Sequence, residues 1–184
     1  MMKSLGKRNT ALGRISNIFD FKTRKMIGNG LIMSTIGHII QVYGSCSDYL
    51  IHALQIQQNT ACRHITKLSF MTSTKTLLTQ CGWLSVKQMI VYFSLTLLQR
   101  IFYEKKPEYI YKRITPTRHM RHTRYTDHTT LETKTWKTAT AKKSFIQRST
   151  VQWNNLPVNI KEIQNKEAFK TKLKIYIQEN IPIK

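Results

Sequence analysis

Between Val86 and Ile101 apolar side chains recur at three- and four-residue spacing, at Val86, Ile90, Phe93, Leu97 and Ile101, and Met89, Tyr92 and Leu98 widen the same face. Residues at those intervals share one side of an α-helix, and so broad an apolar side has to be covered by other elements. The rest of the chain supplies them as further helices. Ser47-Asp48 caps a helix expected over residues 49–66, with Leu50, Leu54, Ala61 and Ile65 as its buried stripe. A short helix over 74–81 stops at Gly82, and Trp83-Leu84 leads into the long one. Residues 21–43 also carry helical spacing, through Met26, Ile27, Leu31, Ile36, Ile39 and Ile40. Gly28, Gly30 and Gly37 interrupt that stretch, which predicts a kinked or closely packed helix.

Near the C-terminus, Phe145, Ile146, Ser149, Val151 and Trp153 form a short amphipathic helix that Pro157 ends. Asn165 caps a final helix with Ala168, Phe169, Leu173 and Ile177 buried and Lys166, Lys170 and Lys174 as a basic ridge. Trp83, Trp153, Leu156, Pro157 and Phe169 are the expected packing residues. The fold class is mostly α: a helical bundle over 1–114, an irregular basic connector over 115–143 and a helical hairpin over 144–184. With 184 residues and 41% apolar content, the chain is long enough to bury a core.

Charge points to the partner. The chain has 30 Lys and Arg against 9 Asp and Glu, a formal charge of +21, so any folded surface is strongly positive and suits a polyanion. Acidic lipid exerts the same attraction, but the most apolar runs, 31–43 and 89–102, fall short of the roughly 20 residues that a membrane span needs. The N-terminal stretch MMKSLGKRNTALGRISNIFDF has no apolar run after its positive residues, so no secretory signal is expected. Cys46, Cys62 and Cys81 are widely spaced and odd in number, which fits reduced thiols in an intracellular protein, nuclear or cytoplasmic.

Two groups suit a nucleic acid. His52, Gln55, Asn59, Arg63 and Thr66 lie three and four apart on the 49–66 helix, opposite the expected buried stripe, and set amide, guanidinium and hydroxyl groups in one row. In the connector, Arg118, Arg121 and Arg124 are spaced by three beside Tyr125, a pattern for phosphate pairing and base or ribose stacking.

Other chemistries find little support. His119, His122 and His128 have no cysteine and only Asp127 as a nearby carboxylate, within a basic segment that repels a cation, so no metal site and no cofactor are expected. Two-metal phosphoryl chemistry needs converging carboxylates, and Asp20 and Asp48 are isolated acids in different elements. No Gly-x-Ser-x-Gly elbow or Gly-rich cysteine context places a nucleophile. The Gly-Asn-Gly at 28–30 is too short to cradle phosphate.

Several stretches, taken in order, resemble the C-terminal region of the reverse transcriptase of jockey-like non-LTR retrotransposons. KRNTALGRISNIFDFKTRKMIGNGLIMSTIGHIIQVYG is similar to the segment that leads into the thumb. Gln55, Gln58, Asn59, Ala61, Arg63 and Ile65 match a family pattern, as do Leu77, Leu78, Gly82, Trp83, Leu84, Val86, Pro107 and Tyr109. KKSFIQRSTVQWNNLPVNIKEIQNKEAFKTKLKIYI is similar to the family's closing Trp-Asn-x-Leu-Pro and Phe-Lys-x-x-Leu elements. His38, Cys62 and His64 depart from the pattern. The resemblance implies a thumb-like helical region without the palm and its catalytic Asp pair, hence no polymerase activity of its own. It also implies that RNA or DNA, and a palm-containing polymerase chain, are the partners. A host-adopted helical protein-interaction module and a non-functional pseudogene product are the alternative readings.

Overall fold

Apolar residues at helical spacing, Leu5 and Leu12 among them, bury one side of a first helix, α1, at Met2–Ile15. The computed structural model describes residues 2–38, 40–114, 130–133, 135 and 137–183. It divides into two compact units, residues 1–89 with 181–184, and residues 90–180. It is mostly helical, with no β-strand among the described residues.

In the first unit, Asp20 opens α2 (Phe21–Gly28) by accepting a hydrogen bond from the Thr23 amide. Hydrogen bonding from the Thr23 hydroxyl, and then from its amide, favours the ionised carboxylate and holds the Asp20 pKa below its usual value. The helix continues into a π-helical turn at Asn29–Met33 and then α3 (Ser34–Gly37), which ends where His38 turns to extended backbone. α4 (Ile40–Tyr43) follows. The kink expected over residues 21–43 is thus real, and Gly28 explains the close packing. A Cβ there would lie 2.6 Å from the Ile65 Cδ1 and 3.3 Å from the Trp83 ring, whereas Gly30 has open space around it.

α5 (Asp48–Thr66) is the centre of this unit, with α1, α2 and α6 (Thr74–Cys81) packed around it. Its buried arc is wider than the expected stripe. Leu54, Ala61 and Ile65 are buried as expected and are joined by Ile51, Gln55, Gln58 and Cys62, while Leu50 is half exposed. The reason is that neighbours cover α5 on more than one side, so its buried arc includes amides as well as aliphatics. Gly82, at φ +64°, ends α6 in the left-handed conformation, and the Trp83 amide donates to the Leu78 carbonyl, closing the helix C-terminus. Trp83 is buried, and its indole N–H donates to Asn29 Oδ1 at 2.8 Å. α7 (Val86–Glu104) begins here.

The second unit takes α7 from residue 90 onward, with Ile90, Leu95, Leu98 and Ile101 buried and Phe93 and Leu97 half buried. It adds α8 (Glu108–Tyr111), α9 (Ala139–Lys142), α10 (Phe145–Asn154), α11 (Val158–Lys161) and α12 (Lys166–Asn180). Trp153 is its anchor. The ring is fully buried between Phe102 and Phe169, with centroids 5.9 and 6.1 Å away, and such aromatic contacts add to the area each ring buries. Leu156 is buried beside it in sequence and Pro157 is exposed.

Several expectations need correction. Beyond following the end of α10, Pro157 is the N-cap of α11, its carbonyl accepting from the Ile160 and Lys161 amides. Ala168 is exposed, so Phe169, Leu173 and Ile177 alone make the buried stripe of α12. The connector is not irregular to its end, because Thr138 caps α9 through a bond from the Ala141 amide. The two compact units divide at 89/90 and 180/181, which reflects packing, whereas the segments ending at 114 and 143 reflect composition and charge.

Candidate nucleic-acid interface

The row on α5 comes together as expected in spacing, but Gln55, Asn59, Arg63 and Thr66 already make hydrogen bonds within the fold. Gln55 Nε2 donates to Gln58 Oε1 and to Asn59 Oδ1, both at 2.9 Å, and Gln55 Oε1 accepts from the Val86 amide at 2.9 Å. That amide is one of the N–H groups that the first turn of α7 cannot satisfy internally. Gln58 Nε2 donates to the Leu84 carbonyl at 2.8 Å, and Asn59 Nδ2 to the Thr74 hydroxyl at 2.9 Å. The Gln-x-x-Gln-Asn pattern is therefore a staple that ties α5 to α6 and to the start of α7. Gln55 is buried and Gln58 fully so, which corrects the reading of Gln55 as a residue on the open face.

Arg63 is also committed. One Nη donates to the Phe70 carbonyl at 3.2 Å, and its guanidinium lies 4.9 Å from the Phe70 ring centroid. His52 and Asn59 line a groove of about 380 Å³ whose rim includes Asp48 and Lys87, paired at 3.6 Å. A carboxylate at the rim makes this groove a poor seat for phosphate. Arg118, Arg121, Arg124 and Tyr125, like His119, His122, Asp127 and His128, lie outside the described residues.

A better surface lies on α1. Lys3, Lys7, Thr10 and Arg14 recur at four, three and four residues and are all exposed, while Leu5, Asn9 and Leu12 are buried. The helix carries no acidic residue, and through residue 89 the only acids are Asp20 and Asp48. At 1.5 Å per residue the stripe extends on the order of 16 Å, long enough to follow several phosphates of one strand. Arg8 is not part of it, because its guanidinium is spent on the Leu31 carbonyl and the Thr35 hydroxyl. In the sequence α1 is signalled weakly, because its apolar periodicity rests on two leucines; the spacing of its cations is the signal that could find it.

Asn9 fixes the orientation of α1 by donating to the Gln57 carbonyl and side chain at 3.0 and 2.9 Å, and Gly13 lies against the His64 ring. Burial there pushes the His64 pKa below its ordinary value. Contacts of residue 9 with 57 and of 13 with 64 mean that α1 and α5 run in the same direction. Arg14 accordingly stands at the end of the unit where α5 finishes.

In the second unit Lys166 and Lys174 are exposed on α12, as expected of its basic ridge. Lys170 instead pairs with Glu167 at 2.8 Å, a hydrogen bond that raises the lysine's pKa and lowers the carboxylate's. Among the described residues no group of three His, Cys, Asp or Glu side chains is placed to hold a metal ion, and no single helix is long and apolar enough to cross a membrane. Compared with protein-family models, curated proteins and solved structures, the chain matches none.

Proposed function

We propose that this chain is a non-catalytic nucleic-acid-binding module, the thumb and post-thumb part of a jockey-like retrotransposon reverse transcriptase, that grips an RNA or DNA backbone. The observation that carries the binding reading is the α1 stripe: Lys3, Lys7 and Arg14 in line on one exposed helical face, on a helix without a carboxylate. Side chains so placed release counterions when they meet phosphate, and affinity then falls steeply with salt. The family assignment rests on the ordered motifs. Within the fold the Gln55-Gln58-Asn59 part of those motifs packs α5 against α6 and the start of α7. A palm-bearing polymerase chain is the partner this reading implies.

Fluorescence anisotropy of a labelled duplex and a labelled single strand, titrated with the full chain over a range of salt, tests the binding. Affinity that does not change with salt overturns it. Primer extension should stay at background, and synthesis by the purified chain would overturn the non-catalytic part.

A helical module for a protein partner is the second reading. Met2, Tyr43, Cys46, Leu50, Ile51 and Leu54 line an apolar pocket of about 180 Å³, next to which in sequence Tyr49 is 78% exposed. Burial pushes the Tyr43 phenol up to about 12. Reversing the α1 charges without effect on nucleic-acid affinity would favour this reading.

A further inference from the structure

The loop between α5 and α6 carries the two most exposed large apolar side chains among the described residues, Phe70 at 80% and Met71 at 89%. It is not a loose loop. Lys67 at φ 58° ends α5 and its amide donates to the Arg63 carbonyl. The Met71 amide donates to the Ser69 hydroxyl, the Thr72 amide to the Ser69 carbonyl, and Ser73 caps α6 through the Thr76 amide. Arg63 then holds the tip from beneath, through the Phe70 carbonyl and the ring. A phenyl ring with a guanidinium on one face and solvent on the other is a stacking platform prepared before any ligand arrives.

The surroundings say what would stack there. Lys67 and Lys75 flank the ring in the chain, Arg63 lies under it, and no acidic residue occurs between Asp48 and Glu104. The parallel course of α1 and α5 brings Arg14, the last cation of the α1 stripe, to this same end of the unit. A planar, neutral π-system attached to an anionic chain satisfies both features, and an unpaired nucleobase in a single strand is such a ligand.

We propose that Phe70, backed by Arg63, stacks on an unpaired base of a single-stranded nucleic acid whose backbone is held by the neighbouring cations. This deepens the nucleic-acid reading above and rests on it. The base fits the open ring face, while its phosphates meet Lys67, Lys75 and Arg14. Duplex binding would leave Phe70 idle.

The test uses the full chain with three labelled probes: an oligothymidylate, an abasic strand of the same length and a blunt duplex. Phe70→Ala should bind oligothymidylate about tenfold more weakly, and Phe70→Trp should restore it. The abasic strand and the duplex should be indifferent to both changes, and circular dichroism should be unchanged because the ring is exposed. An undiminished affinity of Phe70→Ala for oligothymidylate overturns the proposal, as does an equal loss on the abasic strand. So does a Phe70-dependent binding seen only with phosphatidylserine vesicles. If the unaltered chain binds none of the nucleic acids, the parent reading fails as well. If it binds all of them with salt dependence but without regard to Phe70, only the stacking fails.

Discussion

Two helical faces in the first unit carry polar side chains at the same spacing, and they do opposite things. On α5 the row through Gln55, Asn59 and Arg63 is bonded within the chain: its amides reach Val86, Gln58 and Thr74, and its guanidinium holds the exposed Phe70. On α1 the row through Lys3, Lys7, Thr10 and Arg14 is left in solvent. Amide side chains can both donate and accept, so they satisfy helix ends and one another at little cost. Lysines can only donate and keep a strongly hydrated charge, so without a carboxylate they remain outside. Spacing alone does not tell a staple from an exposed row; side-chain chemistry sets what each can bond to, and the fold sets what it meets.

That comparison can be broken first on the α1 side. Reversing Lys3, Lys7 and Arg14 to Glu together should weaken duplex binding by on the order of a hundredfold at low salt, and flatten the log–log salt slope by about 2 to 3. Melting temperature should hardly move, since surface substitutions act within about 0.5 kcal/mol. A large loss of stability would show that α1's charges are structural after all.

On the α5 side the pattern inverts. Gln55→Ala strands the Val86 amide and removes two further bonds, so urea unfolding should report a loss of about 1 to 3 kcal/mol. Anisotropy on the folded variant should read an unchanged affinity, and a selective loss of binding would return Gln55 to the interface.

A smaller contrast sits where α2 meets α5. Gly28→Ala gains about 1 kcal/mol of helix propensity but drives a methyl into buried Ile65 with Trp83 behind it, and overpacking of about 1 to 3 kcal/mol should win. Gly30→Ala meets nothing and should be neutral or stabilising, by up to about 1 kcal/mol. Thermal melts of the pair decide it. Equal outcomes would mean that the approach of α2 to α5 is not tight.

The smallest effect belongs to His64, between α1 and α5. Its folded pKa is lowered by burial below the ordinary 6.5. The unfolded chain therefore binds more protons in the window between the folded value and 6.5, and stability rises with pH there. The contribution is fully present above pH 6.5 and is lost as pH falls through the folded pKa. Melting temperatures taken downward from neutral pH should show this decline, and His64→Gln should remove it.

The second unit shows a different kind of anchor. Trp153 between Phe102 and Phe169 is legible because its spacing from Phe145, Ile146 and Ser149 sets it on the apolar side of α10, and burying so large a ring removes much apolar area from water. The Asn154 side chain beside it was not legible. It accepts from the Leu131 amide and donates to the Leu131 carbonyl, at 2.9 and 2.8 Å, fastening a residue more than twenty positions upstream.

The helices α5, α6, α7, α10 and α12 and the ends marked by Gly82 and Asn165 were written in local sequence, because propensity, periodicity and capping act within a few residues. How much of α5 is buried, what a Cβ at Gly28 would meet, and where the two units divide depended on neighbours distant in sequence. So did the fate of each polar row. A short-range pattern determines that a side chain lies on a given helical face. Only the tertiary structure decides what that face meets, because burial and hydrogen-bond satisfaction are properties of pairs brought together by the fold.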